Sequence, residues 1–526
     1  FFFKQKTAYD YKVTGVQTCA LPICKTLFSI EKSRKVKQQA PKFNLVVGGK
    51  DLDLAQFSTF LPYTMKESSA NWLKRAIKGG NLKEFGFLFR GEHPKNNPLS
   101  RTFQLLFDTE QTDIEFNPAW PQLTHIDGLF VIDDGAVNSQ IETAFLGDLE
   151  VADATLEYSV SEPIEQRRWL VDGKLTGDLS AMMDVLAISP LKAKLGPMVD
   201  WRYTGKTETK IDLEIPLYKA GKTSVAGNYS VTTAIDNAEI AIIDSPVVLQ
   251  NIAGSIGYSS DTGLYADDLT ATLWQQSLNA KIFKSDKQQK VSFTTSLAPA
   301  NLGRFVDFPW QEVISGLIPI EALLTIDPQS LESAVKLNMI STMQGVEINI
   351  PAPLGKLPQE SKLLDMSLYF DPRISRLQGN FGDLLSTDLY FSQGQLRNGL
   401  LSYDRSAELP DKGVLLVSAY LPTTDLSIWR SWAESISQGD KSKGSWRTVF
   451  DFQFDRMNLA SMDFETIHAQ VEAVESGLSV DFTSNLADGL AIIPWDKHLP
   501  PKFDLTRLEL PAKVIGKSSV IDPRQI

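Results

Sequence analysis

TDIEFNPAWPQLTHIDGLFVIDDGAVNSQIETAFLGDLEVADATLEYSVS, residues 112–161, is the stretch whose reading decides the fold. Short runs in it alternate apolar with polar residues, and turn formers cut them apart: Asn117 and Pro118, Asp127 and Gly128, Asp133 to Gly135, Gly147 and Asp148. Successive side chains of a strand point to opposite sides, so such alternation makes one oily and one wet face. Ala154, Leu156, Tyr158 and Val160 share one face, and Thr155, Glu157 and Ser159 the other. Asx-Gly pairs tolerate the positive φ angles of tight hairpins. The stretch predicts an antiparallel meander, and the same grammar recurs almost to the C-terminus.

Further alternating runs lie at 210–219, 238–243, 269–273, 278–282, 291–297 and 346–350, then around Phe450, Phe452 and Phe454, around Leu478, Val480 and Phe482, and at Phe503 and Leu505. Pro216 donates no amide hydrogen, which predicts an edge, a strand end or a bulge. Helical spacing is rarer. Trp72, Leu73, Ala76 and Ile77 predict a helix over 69–78 stopped by Gly79 and Gly80. Leu179, Met182, Met183 and Leu186 predict one within 176–196, behind Thr176 and Asp178 and ended or kinked by Pro190. A turn at 302–306 and a helix at 425–432 complete the set. A doubly wound sheet needs a helix per crossover, so that class is excluded, and no fixed solenoid period is present. The prediction is a mainly β chain. Its oily strand faces either close on one another, as in sandwiches and barrels, or line a groove holding something apolar.

Composition narrows the function. An apolar fraction of 43% excludes wholesale disorder. A net charge of −12 gives no pull toward nucleic acid or an anionic membrane surface. No apolar run approaches the ~18 residues of a spanning helix. Residues 1–24, FFFKQKTAYDYKVTGVQTCALPIC, begin without methionine and resemble a translated sequencing adapter, so fold reasoning sets them apart from a single repetitive region over 25–526. Both cysteines, Cys19 and Cys24, fall in that segment, leaving the rest without disulfides, thiolate metal sites or a cysteine nucleophile.

No catalytic constellation emerges. His93, His125, His468 and His498 show no metal-ligand spacing, and there is no phosphate loop or nucleophile elbow. Asp133 with Asp134, and Asp267 with Asp268, are adjacent carboxylates in turn-like sequence and read as solvated turns. Trp120, Trp310 and Trp495 each neighbour a proline; burial at a sheet end is the plain reading, sugar binding or a membrane interface the functional one.

Several stretches carry a resemblance: WLKRAIKGGNL from Trp72, IEFNPAWPQLTHIDGLFVID from Ile114, DVLAISPLKAKLG from Asp184, IDLEIPLYKAGKTSVAGNYSV from Ile211, GVEINIPAPLGKLP from Gly345, GVLLVSAYLPTTDLSIWRSW from Gly413 and LPPKFDLTRLELP from Leu499. In this order and spacing they resemble the YhdP branch of the AsmA-like superfamily of bacterial envelope proteins. The resemblance implies an elongated, twisted antiparallel sheet curled into an open apolar groove, with a few short helices. It implies a periplasmic bridge, anchored in the inner membrane, that moves phospholipids between inner and outer membranes. This chain would be the middle of it, with no enzymatic activity, no cofactor, no metal and no nucleic-acid partner. Acyl chains would occupy the oily face. Each methylene exposed to water costs roughly 0.8 kcal/mol, so two sixteen-carbon tails cost on the order of 25 kcal/mol, most of which an apolar trough removes. The expected lining residues are Ile211, Leu213, Ile215, Leu217, Val346, Ile348, Ile350, Leu478, Val480 and Phe482; a one-residue register slip would exchange them for the opposite face. Two other classes fit the strand grammar: a closed β-sandwich array acting as adhesin or scaffold, and a β-rich hydrolase of envelope glycans.

Overall fold

The computed structural model describes residues 13–18, 24–31, 42–55, 67–92, 101–216, 227–243, 245–286, 288–304, 310–327, 335–371, 373–392, 395–424, 428, 447–459, 462–496 and 498–509. Within it the chain is mainly β, with few short helices. It divides into two compact units, residues 1–272 and 273–526.

The first unit is an antiparallel meander in which each strand pairs with the next. Val13–Thr18, in the segment the sequence set apart, pairs with Cys24–Glu31, and that strand with Lys42–Asp53. The order continues through Ile77–Glu92, Arg101–Ile114, Leu123–Asp133, Ala136–Leu146, Leu149–Tyr158, Arg168–Asp178, Arg202–Pro216, Asn228–Ala241 and Val248–Ser259. Pro216 closes its strand opposite Arg168, where a missing N–H costs no ladder bond.

Near one end of these strands the register slips repeatedly, between Thr109 and Thr112, Thr124 and Asp127, Ala152 and Thr155, Thr204 and Lys206, and Ile235 and Ala238. Gln111, His125, Asp153 and Asn237 hold positive φ there, and the side chains of Asp127 and Asp113 accept hydrogen bonds from the Gln111 and His125 amides at 2.8 and 3.0 Å. A bulge bends its strand and sharpens the local twist, so neighbouring bulges bend the sheet together. Helix Leu179–Ala187 lies against this bent end. Its Leu179, Ala181 and Val185 are buried, packed with Ala144, Leu149, Val151 and Leu175 on one side and Tyr203, Ile235 and Ala238 on the other.

The helices differ from the sequence expectation at their ends. The first spans Glu67–Ala76, and Gly79 and Gly80 lie inside the following strand. Gly80 has φ +112°, and a Cβ there would stand 2.4 Å from Thr112 Cα, so glycine serves a close strand contact and not a helix stop. The second helix is shorter than expected because Thr176 and Asp178 belong to strand Arg168–Asp178. The turn expected near 302 is a 3-10 segment, Pro299–Arg304. The helix expected at 425–432 falls almost wholly outside the described residues.

The second unit runs Gln276–Ser285, Gln288–Leu297, Ile318–Ile326, Val335–Ser341, Leu364–Phe370, Ser375–Phe381, Leu385–Ser392 and Gln395–Tyr403, all antiparallel neighbours. Two exceptions to the antiparallel expectation follow. Val414–Thr424 pairs in parallel with Gln395–Tyr403 and with Arg447–Leu459. Residues 404–413 carry the chain back before the next strand begins. This return is fastened by Asn398 Nδ2, which donates to the Pro410 carbonyl at 3.0 Å, and by the Ser402 hydroxyl, which donates to the Arg405 carbonyl. Antiparallel pairing resumes through Met462–Val474, Gly477–Thr483, Ala487–Pro494 and Lys502–Leu508.

Candidate functional site: an uncharged sheet face

Residues paired directly across neighbouring strands share a face. In the first unit one such row reads Val47, Phe87, Leu105, Ile132, Val137, Tyr158, Trp169 and Ile215. The adjacent row reads Phe85, Phe107, Phe130, Ser139, Leu156, Val171, Leu213 and Tyr229. Neither row contains a charge. Eight strands at 4.7–4.9 Å spacing span roughly 33 Å, about the hydrocarbon thickness of a bilayer. The opposite face holds Glu214, Glu157 and Asn138 in one row and Asp212, Asp172, Thr155 and Gln140 in the next, with Leu106, Leu129 and Leu170 exposed among them.

Serine and threonine hydroxyls on the uncharged face spend their protons within the sheet. Ser139 Oγ donates to the Leu156 carbonyl at 3.1 Å, Thr109 to Gly128 at 3.0 Å and Thr207 to Gly177 at 3.1 Å, while Thr209 and Thr233 bond to each other at 3.0 Å. With these groups satisfied, the face is apolar in effect as well as in composition. Helix Leu179–Ala187 covers only its bulged end. Toward the other end the side chains are half-buried, and Ile215 keeps 39% of its surface exposed.

The second unit repeats the arrangement. Ile282, Val291, Leu324, Leu337, Leu368, Leu377 and Leu389 form one row. Across the parallel strand the face continues as Val417, Phe450, Val471, Val480, Ala491 and Phe503, beside Ala419, Phe452, Ala469, Phe482, Gly489 and Leu505. The return segment 404–413 contacts Asn398 and Ser402, which alternate with Gly399, Leu401 and Tyr403, so these contacts lie on the polar side.

The expected lining residues divide accordingly. Ile211, Leu213 and Ile215 stand on the apolar face of the first unit, and Leu478, Val480 and Phe482 on that of the second. Leu217 lies outside the described residues. Val346, Ile348 and Ile350 do not lie together on one strand, as their alternation predicted. Only Glu347–Ile348 is extended, paired with Ile314–Ser315. Val346 is fully buried with Ile318 and Met343, against Leu297, Leu364 and Phe381, so residues 343–362 fold as a cap over one end of the face. Lys356, 3% exposed, holds this cap together: its Nζ donates to the Val346 and Leu357 carbonyls at 2.7 and 2.9 Å, and burial pushes its pKa below the ordinary lysine value.

Phe85, Phe87, Phe107 and Phe130 stand on the apolar face outside the expected set, although for the first two the alternation of EFGFLF carried the signal. Among the described residues no group of three or more His, Cys, Asp or Glu side chains is placed to hold a metal ion. His468 and Arg405 share Asp451, Arg405 at 3.1 Å, on the charged face. Asp134 sits in a turn, whereas Asp267 and Asp268, expected in a turn, are exposed within strand Gly263–Leu273. Trp495 is 49% exposed with its indole donating to the Val474 carbonyl at 3.0 Å. No helix among the described residues is long and apolar enough to cross a membrane.

The family model described as YhdP protein matches residues 16–525. This chain belongs to the YhdP family. The match begins inside the segment set apart as adapter-like and includes the strand at 24–31. A curated relative, the intermembrane phospholipid transporter YhdP of Escherichia coli (strain K12), is 23% identical over 386 residues, covering 71% of this chain. The aligned region spans 29% of that relative's own length. No solved structure matches. YhdP membership agrees with a sheet whose one face is uncharged over many strands.

Proposed function

We propose that this chain is a conduit segment of a periplasmic, inner-membrane-anchored bridge that moves phospholipids between the inner and outer membranes, with acyl tails on the apolar face and headgroups in water. The observation that carries this reading is the pair of uncharged rows, eight strands long and half-exposed beyond the helix. A folded protein leaves so extended an apolar surface bare only where something apolar meets it. Hydrocarbon asks for no directed polar contacts, which suits a face whose serine and threonine hydroxyls are bonded within the sheet. The relative's name supplies the class of cargo. Of the expected lining residues, the reading keeps Ile211, Leu213, Ile215, Leu478, Val480 and Phe482, and assigns Val346 to the cap.

The test is mass spectrometry of lipid bound to the purified chain, combined with photo-crosslinking amino acids at Leu213 and Val480 and, as controls on the opposite face, at Asp212 and Asp481. Lipid adducts confined to the first pair support the reading. Lipid-free protein, or adducts equal on both faces, refutes it.

A further inference from the structure

The two long edges of the apolar face in the first unit are chemically different. One is sealed by helix Leu179–Ala187 and the bulged strand ends, where Ala144, Leu149 and Val185 are buried. Among the described residues no helix lies over the other, and three amphipathic aromatics stand along it. Tyr158 and Trp169 pair across neighbouring strands with ring centroids 5.0 Å apart, and Trp169 pairs with Ile215. On the next strand Tyr229 pairs with Leu213, and its ring reaches toward Gly227, where a Cβ would stand 2.3 Å from the Tyr229 hydroxyl oxygen. Tyr229 thereby extends its hydroxyl in the direction of Gly227, past its own row. All three side chains are half-buried. Among the described residues neither tyrosine hydroxyl nor the Trp169 indole N–H has a hydrogen-bond partner in the protein, unlike Ser139, Thr109, Thr207 and Thr209 deeper on the same face. Tyrosine and tryptophan with an apolar body and an unspent polar tip suit a boundary where hydrocarbon meets a wet, oxygen-rich layer.

Resting on the proposed conduit, we infer that Tyr158, Trp169 and Tyr229 form a rail that holds the glycerol-ester and phosphate level of a phospholipid, so that headgroups travel along this edge and tail ends point toward the helix. The acceptors are the ester carbonyls and phosphate oxygens; the donors are the two hydroxyls and the indole N–H. The rail reads the backbone common to glycerophospholipids and not the headgroup substituent.

The experiment uses the full chain with two phosphatidylethanolamine probes, one carrying a diazirine on the headgroup and the other at a tail end, mapped by peptide mass spectrometry. The headgroup probe is expected to label the segments around Tyr158, Trp169 and Pro216, and the tail probe those around Ile211, Val171 and Met182. The Tyr158→Phe, Trp169→Phe, Tyr229→Phe triple variant keeps the apolar bodies. It should lower labelling by the headgroup probe about tenfold, as for a few lost hydrogen bonds of ordinary strength, and leave labelling by the tail probe in place. Headgroup labelling at the helix edge, or undiminished labelling in the triple variant, overturns the rail while the conduit stands. Absence of tail labelling anywhere on the face overturns the conduit, and the rail with it.

Discussion

Leu213→Asp is the sharpest perturbation of the apolar face. Leu213 sits half-buried in the middle of a row, between Val171 and Tyr229, with Ile211 and Ile215 above and below on its own strand. In the lipid-free protein a carboxylate there remains partly hydrated. The folding cost is then the loss of about half the transfer energy of a leucine, roughly 1 kcal/mol. With hydrocarbon lying across the row the carboxylate loses that water. Placing aspartate in a hydrocarbon layer costs about 2.5–3.5 kcal/mol, and at 1.4 kcal/mol per decade occupancy falls about a hundredfold. Asp212→Ala removes an exposed charge from the opposite face and should change stability by less than about 0.5 kcal/mol. The assay is labelling of the Val171 and Ile211 peptides by a tail-diazirine phospholipid, with thermal unfolding followed in parallel. Loss of labelling in Leu213→Asp at nearly unchanged melting temperature, with full labelling in Asp212→Ala, is the expected result. Equal labelling in the two variants would refute the assignment of the faces.

Three further outcomes follow from the same structure. Gly205 has φ +114° and would carry a Cβ 2.5 Å from Ala238 Cα; Gly205→Ala should destabilise the first unit by about 2–4 kcal/mol, read from urea unfolding. Lys356→Met leaves the Val346 and Leu357 carbonyls without their donor and should cost about 1–3 kcal/mol at neutral pH. Because the folded-state pKa of Lys356 is depressed, the unfolded chain binds more protons between the two values. Stability of the parent relative to Lys356→Met should therefore rise as pH climbs toward the ordinary lysine value, measured as the difference of their melting temperatures. Arg507 bridges both Asp488 oxygens at 2.7 and 3.0 Å and holds that carboxyl below its ordinary range. Its contribution is present above the ordinary aspartate value and is lost as pH falls through the folded one, so the protection of the Lys502–Leu508 amides, taken relative to the unfolded chain at each pH, should fall on acidification in the parent and already be low in Asp488→Ala.

Much of the fold was legible because strand alternation is a local property. The run from Ile211 to Ile215 sorts its own side chains into two faces, and pairing carried that sorting intact across to Trp169 and Val171. The run at 346–350 shows where this stops. Its alternation is as clean as that at 211–215, yet its neighbours in space are Ile314, Ile318 and Lys356, which turn it into a cap. Gly79 and Gly80 misled for a related reason. A glycine pair after a helical run signals a stop, but here both lie in a strand, and the close approach of Thr112 demands glycine at position 80. The rail residues were visible as aromatics; nothing local said that Tyr158, Trp169 and Tyr229 would share one edge, or that their polar tips would lack partners.

The amino-acid order alone determined that this chain builds strands with one oily and one wet side, and that helices are too few to cover the oily sides. Period-two patterning and turn chemistry act over a handful of residues, and they suffice for that. Tertiary structure decided which strands stand side by side, where Val414–Thr424 enters in parallel, and which end of the face a helix covers. Those choices rest on register and on contacts between residues far apart in the chain, and alternation, identical in every strand, does not encode them.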